Sequence, residues 1–259
     1  MEHPRLRRVS IAPGPPLQPF IERFLVVEYL SGHATTLLPG SGAVAAFRFR
    51  GNALINGIRA ANTMLTGIWD TSRTLVHNGS CSNVLAMFTP AGAASFFREP
   101  AHQFFNTVHP LEFQVRRSHL DLVEEQVAEA SHHRQRIHVI EQFLLQRLRP
   151  GSTDPLISAT IARIRALHGS LRIANLAQFT GLSQSALERR FRRHVGISPK
   201  KFAAITRLRH VVQLHRDGHS LTEIAYRAGY ADQSHLIKDF KNFAGQAPQT
   251  FFQSPHAFC

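Results

Sequence analysis

The chain has 259 residues, 30 Lys and Arg against 17 Asp and Glu, a formal net charge of +13, 43% apolar residues and two cysteines. That length holds two domains with cores of their own, and the two cysteines, Cys81 and Cys259, exclude a disulfide framework or thiolate zinc site and fit a reducing, cytoplasmic setting. No apolar stretch follows the basic N-terminus and no apolar run approaches about 18 residues, so neither a signal peptide nor a membrane span is expected.

Residues 1–22 are proline-rich, and Pro13, Pro15, Pro16 and Pro19 predict extended chain with no helix before Phe20. From Phe24 to Thr89 short apolar runs (FLVVEYL, GAVAAFRF, NALING, NTMLTGIW, RTLVH, NVLAMF) alternate with Gly, Asn and Ser. Short strands at this spacing predict an antiparallel sandwich or small barrel. In Phe47-Arg48-Phe49-Arg50 the phenylalanines share one strand face and the arginines the other. If the arginine face lines a pocket, Arg48 meets an anionic effector; if it faces out, it is ordinary surface. Trp69, the sole tryptophan, is a candidate to stack on a ligand or to fill the core. His77, His102 and His109 stand apart with no H-x-H cluster, so no metal is expected. The HHRQRIH stretch at 132–138 reads as a solvated helix junction in preference to a nickel or zinc site.

A short helix is predicted to open at Pro90 and run to Phe97. Helical stripes follow at Leu120, Val123 and Val127, within residues 118–131, and at Ile137, Ile140, Leu144 and Leu148, within 134–148. The second stripe must be covered, either by the preceding helix and the strands or by the same helix of a second subunit.

Charge is unevenly shared. From Gly151 onward 15 Lys and Arg meet 6 Asp and Glu, a net +9, against +4 before it, and Lys200, Lys201, Lys238 and Lys241 are the chain's only lysines. A basic module of this kind suits a polyanion. Within it, residues 177–202 and 225–251 are two diverged copies of one pattern. Leu176-Ala177, Gly181, Leu187, Phe191-Arg192, Gly196, Pro199 and Phe202 recur as Ile224-Ala225, Gly229, Leu236, Phe240-Lys241, Gly245, Pro248 and Phe251. Alanine to glycine is four residues in both, leucine to phenylalanine four, and phenylalanine to glycine five. Only glycine to leucine differs, six against seven, as one extra residue in the second turn (Ala231-Asp232 against Ser183) would produce.

Each copy reads as a helix-turn-helix. Gly181 supplies the left-handed turn, and Ser183 or Asp232 caps the helix that follows. Leu187 with Phe191, and Leu236 with Phe240, are core pairs four apart. Ser185, Arg189 and Arg192 point the opposite way, as do Gln233, Ser234, Lys238 and Lys241. Ile237 is either a packing surface for a thymine methyl or part of the core. Between the copies, 199–217 has no interior glycine or proline and predicts a helix of about 18 residues, roughly 27 Å long. Such a spacer sets two heads near the spacing of one DNA turn. Because the charges flank these cores, a membrane surface is the lesser rival as partner.

The series from Ile224-Ala225 through Gly229-Tyr230, Ser234, Leu236, Phe240-Lys241, Gly245 and Pro248 to Phe251 resembles the AraC/XylS family of bacterial transcription regulators. The resemblance implies an α+β chain. Residues 1–115 are then a β-rich, barrel-like sensing domain, 116–150 a helical dimerisation or linker region, and 151–259 an all-α double helix-turn-helix. It implies double-stranded DNA, a small-molecule effector of unknown identity, RNA polymerase and a second copy of the chain as partners, with no cofactor and no catalysis. The DNA-facing set it implies is Gln184, Ser185, Glu188, Arg189, Arg192 and Arg193 in the first head and Gln233, Ser234, Ile237, Lys238 and Lys241 in the second. Two departures stand out: Ala247 replaces a common capping Ser or Thr, and Phe252 a common basic residue. Two rivals are a ligand-free regulator controlled by a protein partner and an alkyl-transfer repair enzyme using Cys81, which lacks an evident base or metal partner nearby in sequence.

Overall fold

The computed structural model describes residues 6–30, 33–52, 54–55, 58–77, 79–253 and 257–258. The N-terminal strands are β1 (Leu6–Ile11), β2 (Ile21–Tyr29), β3 (His33–Leu37), β4 (Val44–Gly51), β5 (Leu54–Ile55), β6 (Ile58–Arg59), β7 (Thr63–Thr66), β8 (Arg73–His77), β9 (Cys81–Phe88) and β10 (Val108–Pro110). Six of them form one antiparallel sheet in the order β1-β2-β9-β4-β7-β10. The sheet ends at β1 and β10, so the expected barrel is an open sheet among the described residues. Pro110 suits that edge, having no N–H to offer a further strand. The pair β5 and β6 forms a small hairpin, while β3 and β8 pair antiparallel and β11 (Ala257–Phe258) adds to β3 in parallel.

Alternation along the central strands explains the core. Phe24 and Val26 of β2, Val84, Ala86 and Phe88 of β9, Ala45 and Phe47 of β4 and Leu65 of β7 are buried on one face. Helices α1 (Arg117–Glu129) and α2 (His133–Leu145) cover that face with Leu120, Val123, Val127, Ile137, Ile140, Phe143 and Leu144. Each such side chain contributes about 1.5–3 kcal/mol by leaving water. The stripe at Ile137, Ile140 and Leu144 is therefore covered within the chain, with Leu148 packed on the same core beyond the helix end. A dimer built on that stripe loses its basis.

Three local expectations need correcting. Residues Leu6–Ile11, expected only as extended chain, pair as an edge strand in which Leu6 is buried, Ile11 half-buried and the four residues between exposed. Pro15–Leu17 is a 3-10 turn before Phe20, with proline where a missing N–H costs nothing. The helix expected at 90–97 is a 3-10 turn at Gly92–Ser95.

The C-terminal part comprises α3 (Pro155–Ala166), α4 (Ile173–Thr180), α5 (Gln184–Val195), α6 (Pro199–Arg216), α7 (Leu221–Arg227), α8 (Gln233–Ala244) and α9 (Pro248–Gln253). Two cores divide it. Ile157, Ile161, Ile164, Leu176, Leu187, Phe191, Phe202 and Ile205 form the first; Leu208, Val211, Val212, Ile224, Leu236, Phe240 and Phe251 form the second. The spacer α6 thus gives its first half to one unit and its second half to the other. From the sheet domain Ile68 enters the first core and Leu38 the second, so both units are docked on it. No helix among the described residues is long and apolar enough to cross a membrane.

Candidate nucleic-acid interface

The two heads are built by the same local chemistry. Helix α4 ends at Gly181 in the left-handed region (φ 68°), and the Ser183 hydroxyl accepts a bond from the Ala186 amide at 3.3 Å to start α5. In the second unit Gly229 (φ 72°) ends the turn after α7, and the Asp232 carboxylate accepts from the His235 amide at 2.7 Å to start α8. The cap follows Gly181 by two residues and Gly229 by three, which locates the extra residue of the second copy. Gly196 (φ 97°) and Gly245 (φ 75°) close the two reading helices in the left-handed region, where a side chain would be strained.

Aligned on their caps, the heads pair Gln184 with Gln233, Ser185 with Ser234, Glu188 with Ile237, Arg189 with Lys238, Arg192 with Lys241 and Arg193 with Asn242. Gln184, Ser185, Glu188, Arg189, Arg192 and Arg193 are all exposed, as are Ser234, Lys238 and Lys241. Gln233 is half-buried and its carbonyl accepts from the Thr222 hydroxyl at 3.1 Å. Ile237 is half-buried against the second core, so its packing is at least partly internal. Glu188 pairs with Arg192 at 3.5 Å one turn away, while Arg189 and Arg193 have no ion-pair partner among the described residues.

Each head is held from behind by an aspartate. Asp154 caps α3 by accepting from the Leu156 and Ile157 amides, and the same carboxylate accepts from Arg190 at 2.6 and 3.0 Å, with His194 at 3.5 Å. Burial raises this carboxyl, but the bonds from Arg190 and the Ile157 amide outweigh it and leave Asp154 below the usual carboxylate range. Burial lowers His194 against the opposing pull of Asp154. In the second unit the Tyr230 hydroxyl donates to Asp239 at 2.8 Å, and Arg207 lies 3.5 Å from Asp239 and 4.5 Å over the Tyr230 ring. Burial and the Asp239 charge push the Tyr230 hydroxyl up, so it stays protonated and keeps donating. Asp154 and α3 went unread in the sequence, although Asp-Pro before an apolar series is a helix-start signal.

A cleft of about 490 Å³ runs beside α5, lined by Ser185, Glu188, Arg189 and Arg192 and by His102 from the sheet domain. No sequence signal pointed to His102 there. The last helix places Phe252 in a stack on His215, rings 3.6 Å apart, so the position spends its side chain on packing.

Arg48 is 7% exposed and its Nη1 donates to the Ala60 carbonyl at 3.1 Å, which overturns the ordinary-surface reading of that side chain. The pairing of β4 with β9 shifts register between Arg48 and Arg50, and Arg50 is the exposed one. Phe47 and Phe49 both face α2, the first edge-on to Phe143 and the second under Arg136. Trp69 is buried, with Arg73 over its ring. The His77 side chain and Cys259 lie outside the described residues; among those described no three potential ligands gather as a metal site. His132 caps α2 through its ring nitrogen, and His133 lies 4.0 Å from Glu28. Cys81 is fully buried and accepts from the Asn83 amide, so no DNA base reaches its sulfur.

Residues 176–254 match a helix-turn-helix domain family and residues 9–110 a domain of unknown function. An uncharacterized HTH-type transcriptional regulator of Haemophilus influenzae is 29% identical over 120 residues, 45% of this chain and 40% of its own length. The HTH-type transcriptional activator RhaS of Salmonella arizonae is 34% identical over 85 residues, 32% of this chain and 30% of its own. The chain thus spans less than half the length of the curated relatives it matches. ToxT of Vibrio cholerae aligns over 88% of this chain and 96% of its own at 12% identity with a TM-score of 0.47, too distant to bear on ligand or mechanism.

Proposed function

Since the chain belongs to the AraC/XylS family of helix-turn-helix transcription regulators, we propose that it occupies promoters sequence-specifically through α5 and α8, under control of its sheet domain. The observation that carries this reading is the repeat itself. Two capped helices in one chain turn Gln184, Ser185, Arg189 and Arg192, and Ser234, Lys238 and Lys241, outward on matching registers. Arg189 is the residue for a bidentate contact to guanine, and Arg193 an anchor to phosphate. Affinity from the basic face is non-specific and salt-dependent, and the base-edge contacts add selection.

The sheet domain senses a small-molecule effector and changes DNA affinity or contact with RNA polymerase; no covalent step is involved, and the chain acts in the cytoplasm where its DNA lies. Two heads in one chain need no two-fold partner, so a monomer suffices for the site. The test is selection of bound duplexes from a random pool by the full chain at near-physiological salt. The expected result is one enriched site with two conserved blocks about one helical turn apart. Enrichment of no sequence over non-specific background contradicts the reading.

A further inference from the structure

Besides Leu38 in the second core, the β3–β11 pairing and the Glu22–Arg165 ion pair, the sheet domain meets the double helix-turn-helix through a bracket made of the β7–β8 loop (residues 67–72) and the turn at 101–107. The bracket is stiff within its own domain. The Gly67 amide donates to the Thr107 carbonyl at 3.2 Å and the Asn106 amide to the Ile68 carbonyl at 2.9 Å. The Asn106 side chain accepts from the Asp70 amide and donates to the Asp70 carboxylate at 2.8 Å. Gly67 sits so close to the Phe104 carbonyl that a Cβ there would lie 1.8 Å from its oxygen, so the two segments pack backbone to backbone.

This piece grips all three parts of the DNA-reading domain. Ile68 is buried in the first core, and Gly196, which closes α5, packs against the Ala101 backbone. Asp70 pairs with Lys201 in the first turn of the spacer α6. Burial raises the Asp70 carboxyl, but the bonds from Lys201 and Asn106 outweigh it and leave Asp70 below the usual carboxylate range. Ser72 then satisfies two carbonyls at the end of α8, its amide donating to Phe243 at 2.6 Å and its hydroxyl to Ala244 at 3.0 Å. Phe243 packs against both cores, so Ser72 holds the seam between the units. The hydrogen-bonded and ion-paired points are the start of the spacer α6 and the C-terminal end of α8, with the end of α5 packed at Gly196; His102 of the same turn also lines the cleft beside Ser185 and Arg189 on α5.

We infer that Asp70 and Ser72 are positioning residues: the bracket sets the separation and phase of the two heads, and therefore the spacing between the two blocks of the DNA site. The inference rests on the proposed DNA reading. It also identifies where the sheet domain has mechanical purchase on operator choice.

The experiment uses the full chain and the duplex it selects from a random pool, with one or two base pairs inserted between the blocks. Each insertion turns the second groove by about 35° and moves it roughly 3.4 Å. The wild type is expected to lose about tenfold or more per inserted base pair. The Asp70→Asn/Ser72→Ala variant, its folding verified by a cooperative thermal transition, is expected to lose less than about threefold while binding single-block duplexes as the wild type does. Ser72→Thr, which keeps the hydroxyl, is expected to keep the wild-type penalty. Equal penalties for wild type and double variant overturn the inference, as does loss of single-block binding in the variant, which would make these residues part of folding or contact. A wild type that selects no sequence overturns the DNA-binding reading itself.

Discussion

The two heads share a frame and differ in where charge is placed. In the first, α5 carries Arg189, Arg190, Arg192 and Arg193 against Glu188; in the second, α8 carries Lys238 and Lys241 against Asp239. The aspartate behind the first head comes from α3, outside the repeat, and consumes Arg190. The one behind the second lies on the reading helix itself and takes its arginine from the spacer. The two copies share the caps, the core pair and the outward Gln-Ser step with a basic residue at two matching positions, and differ at Glu188 against Ile237, Arg190 against Asp239 and Arg193 against Asn242. On the proposed reading the first head, with the larger net positive charge on its reading helix, is expected to be the stronger source of electrostatic affinity.

That contrast is most sharply tested by removing the proposed central base reader of each head. Arg189→Ala is expected to weaken the selected site by about 1–3 kcal/mol and to relax preference in one block only. Lys238→Ala, which loses a point charge without a planar fork, is expected to cost less and to act on the other block. Binding to duplexes mutated in either block separates the two; identical losses on both blocks would abolish the division of labour.

The supporting aspartates give the next largest effect. Asp154→Ala is expected to lower unfolding stability by about 1–2 kcal/mol from the lost cap alone, and to free Arg190 on the first head. Tyr230→Phe removes one bond to Asp239 and is expected to cost about 1 kcal/mol. Denaturant titration of both variants measures the difference, and a larger loss for Tyr230→Phe would reverse the ranking.

Much of this frame is local and so was legible in the sequence. Gly181, Ser183, Gly196 and their counterparts specify turns and caps through interactions within a few residues, and Leu187 with Phe191 marks the buried face one turn apart. The α1 and α2 stripes were equally readable, but not what covers them, since an apolar face states that it must be buried and not by what. Strand β1 was missed because Arg7, Arg8, Val9 and Ser10 are all exposed, leaving no alternation to read. Arg48 was misjudged because its burial depends on a register shift and on the Ala60 carbonyl twelve residues away. The bracket through Asp70 and Ser72 joins residues more than a hundred positions apart, and no spacing rule reaches that far.

Smaller effects sharpen the same contrast. Arg193→Ala is expected to weaken all duplexes alike and to make the salt dependence shallower by roughly one unit of slope, whereas Asn242→Ala at the matching position leaves the slope unchanged. Acid is expected to loosen the first unit in two stages. Because burial lowers His194, the unfolded chain takes up its proton first, so stability declines as pH falls below about 6.5. Asp154, held below its ordinary value, contributes fully above about pH 3.8 and loses that contribution as pH falls through its folded value. His210 and His215 are lowered by burial in the same direction, so His194→Gln is expected to reduce the first stage and leave the second intact in thermal unfolding followed across pH; an unchanged profile would count against this assignment.

The central claim, that one chain reads two successive major grooves, is tested most directly by hydroxyl-radical footprinting of the full chain on its selected duplex. The expected pattern is two protected segments about 10 base pairs apart on one face of the DNA, at a stoichiometry of one chain per site. Protection of a single groove, or protection that appears only with two chains per site, would contradict it.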